Sequence, residues 1–143
     1  MKSVFIIKIK LYVRFIMTFD NMNPPATKEE IQDTEKELGF KFPEEIVKLY
    51  LKFNGGCGFI GEMYVTFYTL KELKELNDIY SEIDEVQGYF VIGSDGGGES
   101  FGFLKDQVPT DFLMVPFIPM NLENAKVIGK TFDEFIDYLM KGI

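Results

Sequence analysis

Two spacings of apolar residues run through the chain and divide it into helices and strands. After Thr27, the positions Ile31, Thr34, Glu35 and Leu38 fall on one side of a 3.6-residue repeat, which predicts a helix with one inward face. Thr27 followed by Glu30 is a capping box that starts it. Gly39 can end it in the left-handed conformation. Pro43 restarts a helix in its first turn, with Glu44 and Glu45 at the positive end of the dipole. Ile46, Leu49, Tyr50 and Phe53 then recur at i, i+3, i+4 and i+7, and Asn54-Gly55-Gly56 stops the helix. Thr69 with Glu72, and Thr131 with Glu134, repeat the capping signal ahead of two further faces. These are Leu70, Leu73, Leu76 and Tyr80, and then Phe132, Phe135, Ile136, Leu139 and Met140.

The second spacing is two. Ile7, Ile9, Leu11, Val13 and Phe15 alternate with Lys8, Lys10, Tyr12 and Arg14, which predicts one half-buried edge strand with cations on its open face. Further strands are expected at Met63–Tyr68, Tyr89–Gly93, Ser100–Leu104 and Phe112–Phe117. Ser94–Glu99 reads as a glycine-rich hairpin turn using positive φ at several residues, with Gly97 among them. Asn21–Pro25 is a loop, and Ser81–Glu85 a solvated acidic connection. The order is strand, two helices, strand, helix, three strands, helix. Strands that follow one another through tight turns argue for an α+β fold, a mainly antiparallel sheet flanked by about four helices. The 143 residues suit one domain, with 1–19 as a strand-like extension.

Composition sharpens this picture. Fifteen Phe, seven Tyr and no Trp point to an interior built on phenylalanine. The net charge is −8. Residues 1–19 hold Lys2, Lys8, Lys10 and Arg14 and no acid, so a total of −8 leaves −12 for the rest. A body that acidic repels nucleic-acid phosphates and attracts basic partners. Residues 1–17 lack both the uninterrupted apolar core and the cleavage site of a secretory leader. As a membrane helix they would bury Lys8, Lys10 and Arg14 at about 2.5–3.5 kcal/mol each. The chain therefore reads as cytoplasmic, with neither a membrane nor a nucleic acid as partner. A start at Met17 is the alternative to the strand.

Candidate chemistry is sparse. With no His in the chain, the usual general base and every His-containing zinc site are excluded. Cys57 is the sole cysteine and cannot form an internal disulfide. Gly56-Cys57-Gly58-Phe59-Ile60-Gly61 matches G-x-G-x-x-G, but a helix precedes it and a strand follows it, the reverse of a dinucleotide site. It reads as a flexible helix-to-strand turn. In Ser94–Glu99 no Lys follows the glycines, and Asp95 and Glu99 would repel an anion. Twenty-three acids leave a carboxylate pair for acid–base hydrolysis available, yet no spacing singles one out. No cofactor and no metal are expected.

Three stretches carry a resemblance. Glu35, Leu38, Gly39, Phe42, Pro43, Leu49, Asn54, Gly55 and Gly56 reproduce a helix ending in Glu-x-x-Leu-Gly, an apolar residue with Pro, and a second helix closing in Asn-Gly-Gly. Val91–Gly98, with Gly96, Gly97 and Gly98, resembles an Ile-Gly-x-Asp-Gly-Gly-Gly strand and turn. Thr131–Ile136 is similar to a closing Ser/Thr-Phe-x-Glu-Phe run. Together, over about residues 27–141 as a family-like core, they resemble the SUKH superfamily, which includes the Smi/Knr proteins. The resemblance implies a non-catalytic protein-binding domain. Bacterial members are mostly immunity proteins that neutralise toxins, often nucleases; fungal members regulate cell-wall glucan synthesis and signalling. The expected partner is a basic toxin domain, and the alternative role is that of a cell-wall or signalling adaptor. Acidic, exposed and flanked by flexible chain, Glu82, Asp84, Glu85, Asp95 and Glu99 are the candidate contact residues.

Overall fold

The computed structural model describes residues 3–9 and 13–141, with the backbone alone described up to residue 22. Among the described residues, eight strands form a single antiparallel sheet in which each strand pairs with the next in sequence. They are β1 (Ser3–Ile9), β2 (Val13–Met22), β3 (Gly56–Ile60), β4 (Met63–Phe67), β5 (Tyr89–Ser94), β6 (Glu99–Leu104), β7 (Phe112–Pro116) and β8 (Lys126–Gly129). Four helices accompany them: α1 (Lys28–Leu38), α2 (Glu44–Lys52), α3 (Leu70–Tyr80) and α4 (Phe132–Lys141). The α+β expectation holds.

Three strand assignments need correction. The single strand expected over 7–15 is a hairpin, with Ile9 opposite Val13. Lys10, Leu11 and Tyr12 lie outside the described residues. Period two runs through both arms of a hairpin, and nothing in that stretch carries the Gly, Pro or Asn that usually marks a reversal. Gly56–Ile60, expected as a flexible turn, is a strand paired with β2 on one side and β4 on the other. Its glycines suppressed the strand signal. β8 was not anticipated, because four residues are too few for alternation to register.

The helices cover one face of the sheet. Ile31 of α1, Leu49 and Tyr50 of α2, Leu73 of α3 and Phe135 of α4 are buried in a cluster with Phe67, Phe101 and Phe112. Phe135 stacks on Phe112 at 4.4 Å between ring centroids and meets Phe101 and Phe67 edge-on at 5.7 and 6.0 Å. A smaller apolar cluster lies apart from it. There Tyr89, Val91, Leu113 and Val115 are covered by Val86, in the short 3₁₀ turn Asp84–Val86, and by Met120 in the segment after β7.

The sheet narrows between β4 and β5, which share only the pairs Thr66–Ser94 and Phe67–Gly93. Gly93 is required there, because a Cβ would sit 2.3 Å from the Thr66 carbonyl oxygen. Where β4 has left, Asn77 of α3 takes its place. The Val91 N–H donates to Asn77 Oδ1 at 2.7 Å, and Asn77 Nδ2 donates to the Val91 carbonyl at 2.8 Å.

Candidate functional site

The signature residues of α1 and α2 hold a corner together. Glu35 accepts a hydrogen bond from the Phe42 N–H at 2.7 Å, folding the connection back on α1. Gly39 closes the helix at φ 82°, its N–H donating to the Glu35 carbonyl at 2.8 Å. Leu38 packs half-buried against the core. Pro43 stands at the N-cap of α2, one residue ahead of the expected first turn, and its carbonyl accepts from Ile46 and Val47. Asn54 is the hub of the next crossing: its Oδ1 accepts from the Leu70 N–H at 3.0 Å, and its own N–H donates to Pro24. Beside it Gly55 (φ 72°) passes so close to α3 that a Cβ would lie 2.7 Å from Thr69 N. Gly56 (φ 120°) opens β3.

Asp95 organises the glycine turn. Its Oδ1 accepts from the Gly97 N–H at 2.8 Å and the Glu99 N–H at 3.1 Å, while its own N–H donates to the Glu99 carbonyl. Side-chain bonds of this kind are how Asp stabilises a tight reversal. Of the three glycines, Gly96 alone has positive φ, 75°. The expectation for Gly97 is therefore corrected: its Cβ would meet nothing closer than 3.5 Å. Once Asp95 ties down two N–H groups, a single left-handed residue completes the reversal. Gly98 accepts from the Phe117 N–H at 2.8 Å, joining the turn to the end of β7. All three glycines are exposed.

The five nominated acids fall into two groups. Glu82, Asp84 and Glu85 are exposed and lead into β5, and Asp95 and Glu99 are half-buried where β5 ends. Six strand residues separate the groups, about 17 Å along the strand. Burial, and then the neighbouring Asp95, hold the Glu99 carboxyl above the usual carboxylate range. From residue 75 to 104 the chain contains seven acids and no Lys or Arg. Asp78 pairs with Lys74 at 3.0 Å, and no ion pair engages the other six among the described residues.

Sequence reasoning missed two polar anchors. Glu45 of α2 accepts from the Phe132 N–H at 2.6 Å and from Lys48 Nζ at 2.8 Å, capping α4 from a neighbouring helix. Burial pushes its carboxyl up, but those bonds outweigh it and leave it below the usual range. The other is Asn77. An amide midway along α3, between Leu73 and Tyr80, was the available signal for it, because Asn in a helix interior is unfavourable unless its side chain has a partner.

Apolar groups lie beside the turn. Phe59 of β3 and Tyr64 of β4 are cross-strand partners in edge-on contact at 5.0 Å, and they remain 42% and 37% exposed. A Cβ on Gly96 would lie 3.8 Å from the Tyr64 ring. Among the described residues, no group of His, Cys, Asp and Glu is placed to hold a metal ion, and no helix is long and apolar enough to cross a membrane. No curated protein matches the chain. A model of the SMI1 / KNR4 family (SUKH-1) matches residues 25–138, from just after β2 into α4. That span covers most of the chain and all three signature stretches, and the protein belongs to this family.

Proposed function

We propose that this chain is a non-catalytic protein-binding domain of the immunity type, which acts in the cytoplasm and neutralises a cognate toxin by occupying its basic surface. A nuclease is the class of toxin that suits it best, because an enzyme that grips phosphates presents cations. The observation that carries the reading is the stretch from residue 75 to 104, where seven acids stand without a Lys or Arg. Exposed acids without an ion pair among the described residues, such as Glu82, Asp84 and Glu85, steer an oppositely charged protein and raise its association rate. Family membership supports the binding role.

Expression of the reading frame directly upstream, alone and together with this chain, tests the reading. Growth arrest by the upstream product, relieved by co-expression, is expected. If that product is harmless and this chain instead engages an envelope-synthesis or signalling protein, the adaptor role replaces the immunity role.

A further inference from the structure

The apolar cluster of Tyr89, Val91, Leu113 and Val115 is covered by the chain's own segments, whereas Phe59 on β3 and Tyr64 on β4 each keep more than a third of their surface exposed. Their strand neighbours Ile60 and Val65 point into the core, and Gly58 is buried. The exposed pair is thus one side of a regularly alternating sheet. Among the described residues, acidic groups lie toward β5 and at the β3–β4 turn. Asp95 and Glu99 flank the exposed Gly96–Gly98 run beside Tyr64, and the exposed Glu62 sits in the β3–β4 turn. Ile118, 92% exposed, follows Phe117, whose N–H is bonded to Gly98.

We infer that the open face of β3–β4 with the glycine turn is the docking surface for a basic polypeptide partner, with Phe59 and Tyr64 as the apolar centre and Asp95, Glu99 and Glu62 as the acidic rim. This rests on the reading of the chain as a binding domain and adds the place of contact. Interfaces combine an aromatic centre with a polar rim in this way. Aromatic faces also accept Arg and Lys directly. The charges select the occupant. A second copy of the chain would set these acids against their equivalents, and an anionic surface would be repelled. The exposed glycines let a partner's backbone approach the turn without meeting a side chain.

The test is amide NMR on the full chain, titrated with a short amidated peptide of Arg, Lys and Phe and with its counterpart carrying Glu in place of Arg and Lys. The cationic peptide should shift amides in Cys57–Tyr64 and Asp95–Glu99, and the acidic one should not. Phe59→Ser with Tyr64→Ser should weaken binding about tenfold or more. Asp95→Asn with Glu99→Gln keeps an oxygen on residue 95 for the turn's N–H groups, so the turn persists while two charges are lost. It should weaken binding several-fold. Shifts centred on residues 82–86 would overturn this surface while leaving an acid-directed binding domain intact. Shifts nowhere, or equal response to the acidic peptide, would overturn it as well. The toxin co-expression result decides the functional reading independently.

Discussion

Gly39 and Gly55 both occupy the left-handed region, but their surroundings differ. Nothing lies within 4 Å of a Cβ placed on Gly39, whereas one on Gly55 would meet the backbone at Phe67 and Thr69 below 3.0 Å. Gly39→Val should therefore cost only the conformational term, about 1–2 kcal/mol. Gly55→Ala adds overlap with immovable backbone and should cost about 3 kcal/mol or more. Urea midpoints of the two variants give the comparison, and equal losses would remove the distinction. Glu99 offers a test by pH. Its folded-state carboxyl lies above the ordinary value of 4.5, through burial first and Asp95 second. A raised acid penalises the folded state once it is ionised, so the penalty is present at neutral pH and vanishes as pH falls below about 4.5. Glu99→Gln should raise the melting temperature at pH 7 and leave it unchanged near pH 3. A variant less stable at pH 7 would show that the carboxylate helps to hold the turn.

At the scale of elements, the short joint between β4 and β5 shapes the fold. Two residue pairs hold those strands together, and α3 fills the remainder of the β5 edge through one side chain. Asn77→Leu preserves size but leaves the Val91 N–H and carbonyl without their partner. Each buried orphan costs about 1–3 kcal/mol, so a loss of about 2–4 kcal/mol is expected. Faster hydrogen exchange at the Val91 amide, with α1 and α2 unaffected, is the local signature to measure. Uniform exchange across the chain would mean that this edge does not open separately. The helix boundaries were legible from residues alone. Thr27 with Glu30 and Thr69 with Glu72 form complete reciprocal capping boxes. The third is altered: Thr131 accepts from the Glu134 N–H, but the Glu134 carboxylate takes the N–H of Lys130.

Across the whole molecule, charge is the property that reaches beyond contact distance. Reversing Glu82, Asp84 and Glu85 to Lys changes the net charge from −8 to −2. If these residues steer rather than touch, association with the cognate partner should slow about tenfold at low salt, while dissociation changes little. The wild-type rate should fall as salt is raised, since exposed charges are screened beyond about 8–10 Å at physiological ionic strength. Stopped-flow association at two salt concentrations measures both effects. A rate indifferent to salt and to reversal would remove the acidic stretch from recognition.

By itself the sequence determined the helices, their starts and stops, and their inward faces. Ile46, Leu49, Tyr50 and Phe53 are all buried as their spacing requires. Those features depend on caps, φ preferences and periodicity that act within a turn or two of chain. Tertiary structure decided the rest. Glycine-rich Gly56–Ile60 became a strand because β2 and β4 supply its hydrogen bonds from either side. Asn77 found its role 14 residues away at Val91, and Glu45 found its role 87 residues away at Phe132. The sequence nominated five acids without placing them. The fold set two of them beside exposed aromatics contributed by another pair of strands. Partners that far apart in sequence leave no local pattern, because the hydrogen bonds and packing that define them exist only once the chain has folded.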